Sequence, residues 1–139
     1  MNLPPPGLCL PCKWRRTVDG DTIVVDLGGT LTMHVRLLDC WAIETKYAAG
    51  RAAAHALESL LEETADQPMH VWFPPPRDSS PTDGILALTE LIRHAISFGR
   101  FVGRIFAGSV DVGEWMIDHG HAYRTRKECK AAEAASLKR

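Results

Sequence analysis

The sequence predicts an α+β domain that is mainly β: about five short strands form a small barrel, and about three helices cover it. Three observations support this class. Apolar and polar residues alternate on both sides of a Gly-Gly pair, as in a β-hairpin. An alanine-rich stretch with helical spacing follows the hairpin. Further short β runs and helical patterns come after that stretch.

The hairpin is the clearest element of the pattern. Apolar side chains recur at every second position over 22–27, and Gly28 and Gly29 supply the two residues of a tight turn. The alternation continues over 31–37 on the return strand. This parity places Arg36 on the face opposite to the apolar side chains of its strand.

The later elements follow from hydrophobic period and end signals. A helix is predicted over 53–64, where apolar residues recur at helical spacing before Pro68. Asp111 and Glu114 have the spacing of a capping box, which predicts a helix that Gly120 ends. The other predictions are strands at 69–73 and 100–107, a loop with a short helix in 77–97, and a basic helix at 127–137.

Length and composition fit one globular domain. The 139 residues are 45% hydrophobic and 24% charged with a formal net charge of -1, which excludes global disorder and a fibrous class. Proline-rich residues 1–11 are expected to form an extended arm, and 12–139 a single domain. No stretch has the pattern of a membrane span or a signal peptide, so we expect a cytoplasmic protein with reduced thiols and no membrane partner. Cys9 and Cys12 have the spacing of half a zinc site, but no second close pair completes four ligands.

Charged residues gather in short motifs around these elements. The motifs are DGDT at 19–22, VRLL at 35–38, ETK at 44–46, FGR at 98–100 and VDVGEWMIDHGHAY at 110–123. In this order the chain resembles the staphylococcal nuclease (thermonuclease-like) family from about residue 12 to 123. The resemblance implies a five-stranded OB-fold barrel with helices. The segment 74–97 is longer than usual for the family, so it is interpreted as an insertion and as a candidate site for a protein partner.

The resemblance also implies an activity and a set of roles. The family cleaves DNA and RNA phosphodiesters with Ca2+, and a single-stranded substrate is expected here. Asp21 matches a metal ligand, Arg36 and Arg100 match the arginines that hold the phosphate, and Glu44 matches the base that activates water. Calcium prefers carboxylate oxygens, and guanidinium groups can stabilise the charge that develops on a phosphate. An ionised glutamate can take a proton from water.

One position departs from the family pattern. Trp41 stands where the family has a second metal-binding aspartate, and tryptophan cannot ligate calcium. Asp39 and Asp19 are the alternatives for the missing ligand. Trp41 is expected either to pack in the fold or to stack on a base. Phe98 also replaces the tyrosine that commonly precedes the GR pair of the family.

Three function classes therefore stay open: a metal-dependent nuclease, a nucleic-acid-binding module that has lost the metal, and a protein that docks a partner through 74–97. Each charged residue also has a purely structural interpretation. The DGDT segment fits a turn, Arg36 a solvated strand position and Glu44 a helix cap. The basic tail fits a solvated helix or a phosphate contact, for which the candidates are Tyr123, Arg124 and Arg126.

Overall fold

The computed structural model of the protein describes residues 8–29, 31–74 and 101–136. Six strands and three helices lie in these residues. The strands are β1 (Leu8–Asp19), β2 (Thr22–Leu27), β3 (Leu31–Leu37), β4 (Met69–Phe73), β5 (Phe101–Ala107) and the two-residue β6 (Val110–Asp111). The helices are α1 (Ala48–Glu63), α2 (Val112–Asp118) and α3 (Arg126–Ser136).

Five strands close into a barrel in the order β1, β2, β3, β5, β4, and β4 pairs again with β1. The pair β3–β5 is parallel and the other pairs are antiparallel. A parallel pair requires a long connection, and the helix α1 and the strand β4 lie within it. The predicted fold class is confirmed: the described residues form a five-stranded OB-fold barrel with three helices.

The barrel interior explains the alternation in the sequence. Its centre contains aliphatic side chains from the hairpin and from β4 and β5, and each is removed from solvent. Full burial of such a side chain contributes roughly 1.5–3 kcal/mol. The side chains with 0 or 1% exposure include Ile23, Val25, Val35, Leu37, Val71 and Ile105.

The helix α1 adds its apolar side to the same core. Its buried positions recur at intervals of three and four residues, which is the period of one helix face. The predicted helix is confirmed, although it begins at Ala48, earlier than the apolar pattern indicated. The buried residues of α1 are Gly50, Ala53, Leu57, Leu60 and Leu61.

The start of α2 also follows its prediction. The side chain of Asp111 accepts a hydrogen bond of 3.3 Å from the backbone N–H of Glu114, as expected for an N-cap. Gly120 follows the helix with a positive φ of 76°. The last helix, α3, lies within one residue of its predicted bounds.

Two parts of the prediction need comment. Leu8–Cys12 belong to β1 and pair with β4, so the last residues of the expected proline-rich arm are part of the barrel. The expected loop and helix in 77–97, Phe98 and Arg100 lie outside the described residues. No helix among the described residues is long and apolar enough to cross a membrane.

Candidate functional site

Several predicted site residues meet beside the turn between β1 and β2. Thr22 pairs with Arg36 in the β2–β3 ladder. The backbone N–H of Ala42 donates to Asp21 Oδ2 at 2.9 Å, which attaches the segment after β3 to the turn. The backbone N–H of Glu44 donates to Glu133 of α3 at 3.2 Å. We call this place the Asp21 junction and define it by Asp21, Arg36, Trp41, Glu44 and Glu133.

Asp21 is the buried centre of the junction, with 9% of its surface exposed. Its Oδ1 accepts from Thr22 Oγ1 at 3.0 Å, while its own backbone N–H donates to Asp19 Oδ1 at 3.1 Å. Burial, followed by the side-chain hydrogen bond with Asp19, raises the pKa of Asp21 to about 6. The DGDT segment is a turn, and this turn also holds the 41–44 segment in place.

Two glycines allow the surrounding backbone to come this close. A Cβ at Gly20 would lie 2.6 Å from the Cβ of Ala42 and 2.8 Å from that of Ala53. A Cβ at Gly50 would collide with the carbonyl of Glu44 and lie 2.6 Å from the carbonyl oxygen of Ile43. The first turn of α1 therefore packs directly on the backbone that carries Glu44.

Arg36 lies beneath Trp41. Its side chain is buried at 7% exposure, and its Cζ lies 3.5 Å from the centre of the indole ring. Arg36 Nη2 also donates to the carbonyl of Cys40 at 3.4 Å. Two backbone hydrogen bonds with Tyr123, of 2.7 and 2.8 Å, hold Trp41 in this position. The solvated interpretation of Arg36 is wrong, because the indole ring of Trp41 covers the guanidinium.

Glu44 presents its carboxylate at the surface, with 52% of the side chain exposed. Lys46 Nζ lies 3.2 Å and Lys130 Nζ 3.7 Å from its carboxylate oxygens. The hydrogen bond from Lys46 is the main cause of a lowered pKa for Glu44. The carboxylate is therefore ionised at neutral pH, but the two lysines weaken it as a base. It does not cap α1, whose N-cap is Tyr47.

Glu133 is a junction residue that the sequence prediction missed, because it was placed in a solvated basic helix. It is 7% exposed, and its Oε1 accepts the backbone N–H of Glu44. Its Oε2 accepts from Lys130 Nζ at 3.2 Å. One signal was available: Cys129 lies four residues earlier, and cysteine is among the residue types most often buried.

Asp39 points to a different partner from the one expected. The backbone does not stay extended after β3, since Asp39 has a φ of 52°. Its Oδ2 lies 3.9 Å from Arg104 Nη2, and Arg104 also binds Asp111 at 3.1 Å. Asp19, by contrast, lies beside Asp21.

The charged residues of the junction also shift the pKa values of two buried thiols, Cys40 and Cys129. Burial, followed by the charge of Asp21, raises the pKa of Cys40 to about 12, and Arg36 opposes this shift. The pKa of Cys129 is raised mainly by burial, and further by the charges of Glu133 and Asp21. Both thiols are therefore protonated at neutral pH. All four cysteines are free, including Cys9 and Cys12.

The described residues of the junction offer few free oxygen atoms to the calcium that the resemblance implies. Calcium takes six to eight oxygen ligands. Both oxygens of Asp21 already accept hydrogen bonds, Asp39 faces Arg104, and Trp41 offers no ligand atom. Over 8–29, 31–74 and 101–136, no three His, Cys, Asp or Glu side chains are grouped to hold a metal ion.

The remaining candidates lie around the edge of the junction or outside it. Arg124 makes two hydrogen bonds of 2.8 Å with Glu114, which raise the pKa of Arg124 and engage its guanidinium. Arg126 is exposed at the start of α3. Tyr123 contributes its backbone to the bridge with Trp41. Arg100 lies outside the described residues.

Comparison with known proteins adds no relative: no protein-family model matches the chain, and no curated protein matches it.

Proposed function

We propose that the protein is an OB-fold nucleic-acid-binding module that binds single-stranded DNA or RNA at the Asp21 junction without calcium. The observation that supports this proposal is the stack of Trp41 on Arg36 at 3.5 Å. In the resemblance to the nuclease family, Trp41 stands at a metal-ligand position. Here the same position carries an aromatic ring that is fixed on a cation.

Trp41 has the properties of a stacking platform. Stacking of a base on an aromatic side chain contributes roughly 1–3 kcal/mol per base and tolerates any sequence. Two backbone hydrogen bonds to Tyr123 and the guanidinium of Arg36 hold the half-buried ring, so little freedom is lost on binding. Lys46 and Lys130 have 66 and 49% of their side chains exposed, and they pair with Glu44 at the edge of the junction, so a phosphate there would compete with that carboxylate for them.

Binding in the absence of metal tests this proposal. We expect a fluorescent single-stranded oligonucleotide to bind in chelator, as measured by anisotropy. Trp41→Ala should weaken binding roughly tenfold, because it removes one stacking contact, and Trp41→Phe should keep most of the affinity. Trp115→Ala, which changes a tryptophan of α2, is the matched control. Binding that requires added calcium, or that Trp41→Ala leaves intact, would contradict the proposal.

The second candidate function is the metal-dependent hydrolysis of phosphodiester bonds that the resemblance implies. It is favoured by the hydrogen bond from the backbone N–H of Ala42 to Asp21, which attaches the segment that carries Glu44 to the acidic turn. Glu44 would take a proton from the attacking water, and Arg36 with Arg100 would stabilise the charge on the phosphate.

Hydrolysis is tested on the same oligonucleotides. Single-stranded DNA and RNA are incubated with calcium, with magnesium and with chelator, and the products are separated by size. Metal-dependent products that Glu44→Gln abolishes would establish the nuclease. Binding without products under all three conditions would leave the binding module as the function.

Two predictions about the setting of this function stay predictions. The prediction of a cytoplasmic location rests on the sequence pattern, in which no membrane span or signal peptide was recognised, and the prediction of a protein partner at 74–97 rests on the length of that segment.

A further inference from the structure

The strand β1 presents two consecutive arginines to solvent. Trp14 pairs with Val25 and Arg16 pairs with Val24, so Arg15 has no partner of its own on β2 and forms a β-bulge. In a regular strand, one of two neighbouring side chains would point to the barrel interior. The bulge turns both arginines outward, and both are exposed.

The sheet register connects these arginines with the Asp21 junction. Arg16 lies opposite Val24, and Val24 lies opposite His34 of β3, which is also exposed. Two residues further along β2, Thr22 lies opposite Arg36. The cross-strand row of Arg16, Val24 and His34 therefore lies about 7 Å from the row of Thr22 and Arg36, since a strand rises ~3.3 Å per residue.

Positive charge exceeds negative charge on this surface. Lys13 is exposed and lies opposite Asp26, one row further from the junction than Arg16. Asp26 binds Arg15 Nη1 at 3.3 Å and accepts from Thr32 Oγ1 at 2.7 Å, so its charge is largely compensated. Lys13 and Arg16 form no ion pair with any described residue. We call Lys13, Arg15, Arg16 and His34 the β1 track.

We infer that the β1 track is the path along which a single-stranded nucleic acid runs to the Asp21 junction. This inference rests on the proposed function and names a second contact surface for the same ligand. Lys13, Arg15 and Arg16 contact successive phosphates, and the exposed ring of His34 stacks on a base. The track extends about 13 Å from the junction, at ~3.3 Å per residue over the four residues of β2 between Thr22 and Asp26.

The experiment compares a dinucleotide with an oligonucleotide of about eight nucleotides, within the usual range of one OB-fold site. Dissociation constants are measured in chelator over a range of salt concentrations. The unchanged protein should bind the longer ligand more tightly and with a steeper dependence on salt. Arg15→Gln with Arg16→Gln should reduce that slope by about 1.4, because two phosphate contacts are lost at ~0.7 each. The same pair should leave dinucleotide binding unchanged.

Two further variants keep the test independent of folding defects. Arg15→Lys with Arg16→Lys is the matched control, and it should keep the salt slope because both charges remain. Asp26→Asn removes a negative charge from the surface and should tighten binding of the longer ligand. Suppose that Arg15→Gln with Arg16→Gln, and also Asp26→Asn, bind the longer ligand as tightly as the unchanged protein, while Trp41→Ala binds the dinucleotide more weakly. The inference about the β1 track is then overturned, and the proposed function stands. If neither ligand binds the unchanged protein, both are overturned.

Discussion

At the scale of single residues, the Asp21 junction depends on a buried carboxyl group that an ordinary turn would leave in water. Asp21 attaches the turn to Ala42 through one oxygen and to Thr22 through the other. Its neighbour Asp19 contributes a second carboxylate to the same turn. The cost of burying this charge appears as a pKa raised to about 6.

The raised pKa predicts how Asp21→Asn changes the pH dependence of stability. Between pH 3.8, the ordinary pKa of an aspartate, and about pH 6, Asp21 holds a proton in the folded state that it releases in the unfolded state. The free energy of unfolding therefore contains a contribution that is fully present below pH 3.8 and is lost as the pH rises through about 6. The loss amounts to at most about 3 kcal/mol, from ~1.36 kcal/mol for each pKa unit. The Asp21→Asn variant should lack this loss, because its neutral amide resembles the protonated acid at every pH.

Urea unfolding of both proteins at several pH values checks this expectation. The difference in unfolding free energy between Asp21→Asn and the unchanged protein should grow in favour of the variant from pH 4 to pH 7. Asp66→Asn, which changes an exposed carboxylate beyond α1, is the control for the removal of a negative charge. A constant difference for Asp21→Asn would show that its pKa is not raised in the folded state.

A second prediction concerns Gly50. Alanine is the better helix former by about 1 kcal/mol, so a free helix would gain from Gly50→Ala. In this fold the added methyl group meets the carbonyls of Ile43 and Glu44, and overpacking of this kind costs about 1–3 kcal/mol. Thermal unfolding should therefore show a lower midpoint. The matched control is Gly113→Ala in α2, where the nearest atom lies 3.5 Å from the new Cβ and no loss is expected. Equal stability of both variants would show that α1 can move away from Glu44.

The sequence predicted the side of the strand that carries Arg36 but not the surroundings of that residue. Strand parity fixes which way a side chain leaves the sheet. Burial of Arg36 depends on the turn at Asp39 and on the bridge between Trp41 and Tyr123, which joins positions far apart in the chain. Neither feature has a local signature, so the sequence could not predict that the guanidinium is covered.

At the scale of elements, α3 is docked on the junction through a buried carboxylate. Glu133 accepts from the backbone of Glu44, and Lys130 lies between the two acidic side chains. The basic composition of this helix predicted its existence and bounds. It could not predict docking, because a glutamate among alanines and lysines is typical of an exposed helix.

The docking contact leads to a prediction for Glu133. Glu133→Ala leaves the N–H of Glu44 without its acceptor, and the protein should lose about 1–3 kcal/mol of unfolding free energy. Amide hydrogen exchange at Glu44 should accelerate in the same variant. Glu133→Gln retains an oxygen acceptor and should protect the Glu44 amide better than Glu133→Ala does. Glu128→Ala, at an exposed glutamate of the same helix, is the control. Unchanged exchange in Glu133→Ala would mean that α3 does not hold the Glu44 segment.

At the scale of the whole molecule, the barrel is closed by two contacts that involve distant segments. The strand β3 pairs with β5, and the first residues of β1 pair with β4. Local patterns predicted most of the strands and helices, since each carries its own period and end signals. They did not predict that β1 begins at Leu8, because the prolines around that segment indicate an arm. Pro11 is tolerated in the strand, where it is exposed.

The part of β1 that was expected to be an arm supplies the last prediction. Leu8 and Leu10 lie opposite Phe73 and Val71 and pack on the core, whereas Cys9 between them is exposed. Substitution of both leucines by serine should lower the free energy of unfolding by about 2–3 kcal/mol, because each side chain loses part of its burial. Cys9→Ser is the matched control and should have no effect. Chemical unfolding followed by circular dichroism and by tryptophan fluorescence should give one coincident transition for each protein. If the two serines leave stability unchanged, residues 8–10 contribute nothing to closure of the barrel and form an arm after all.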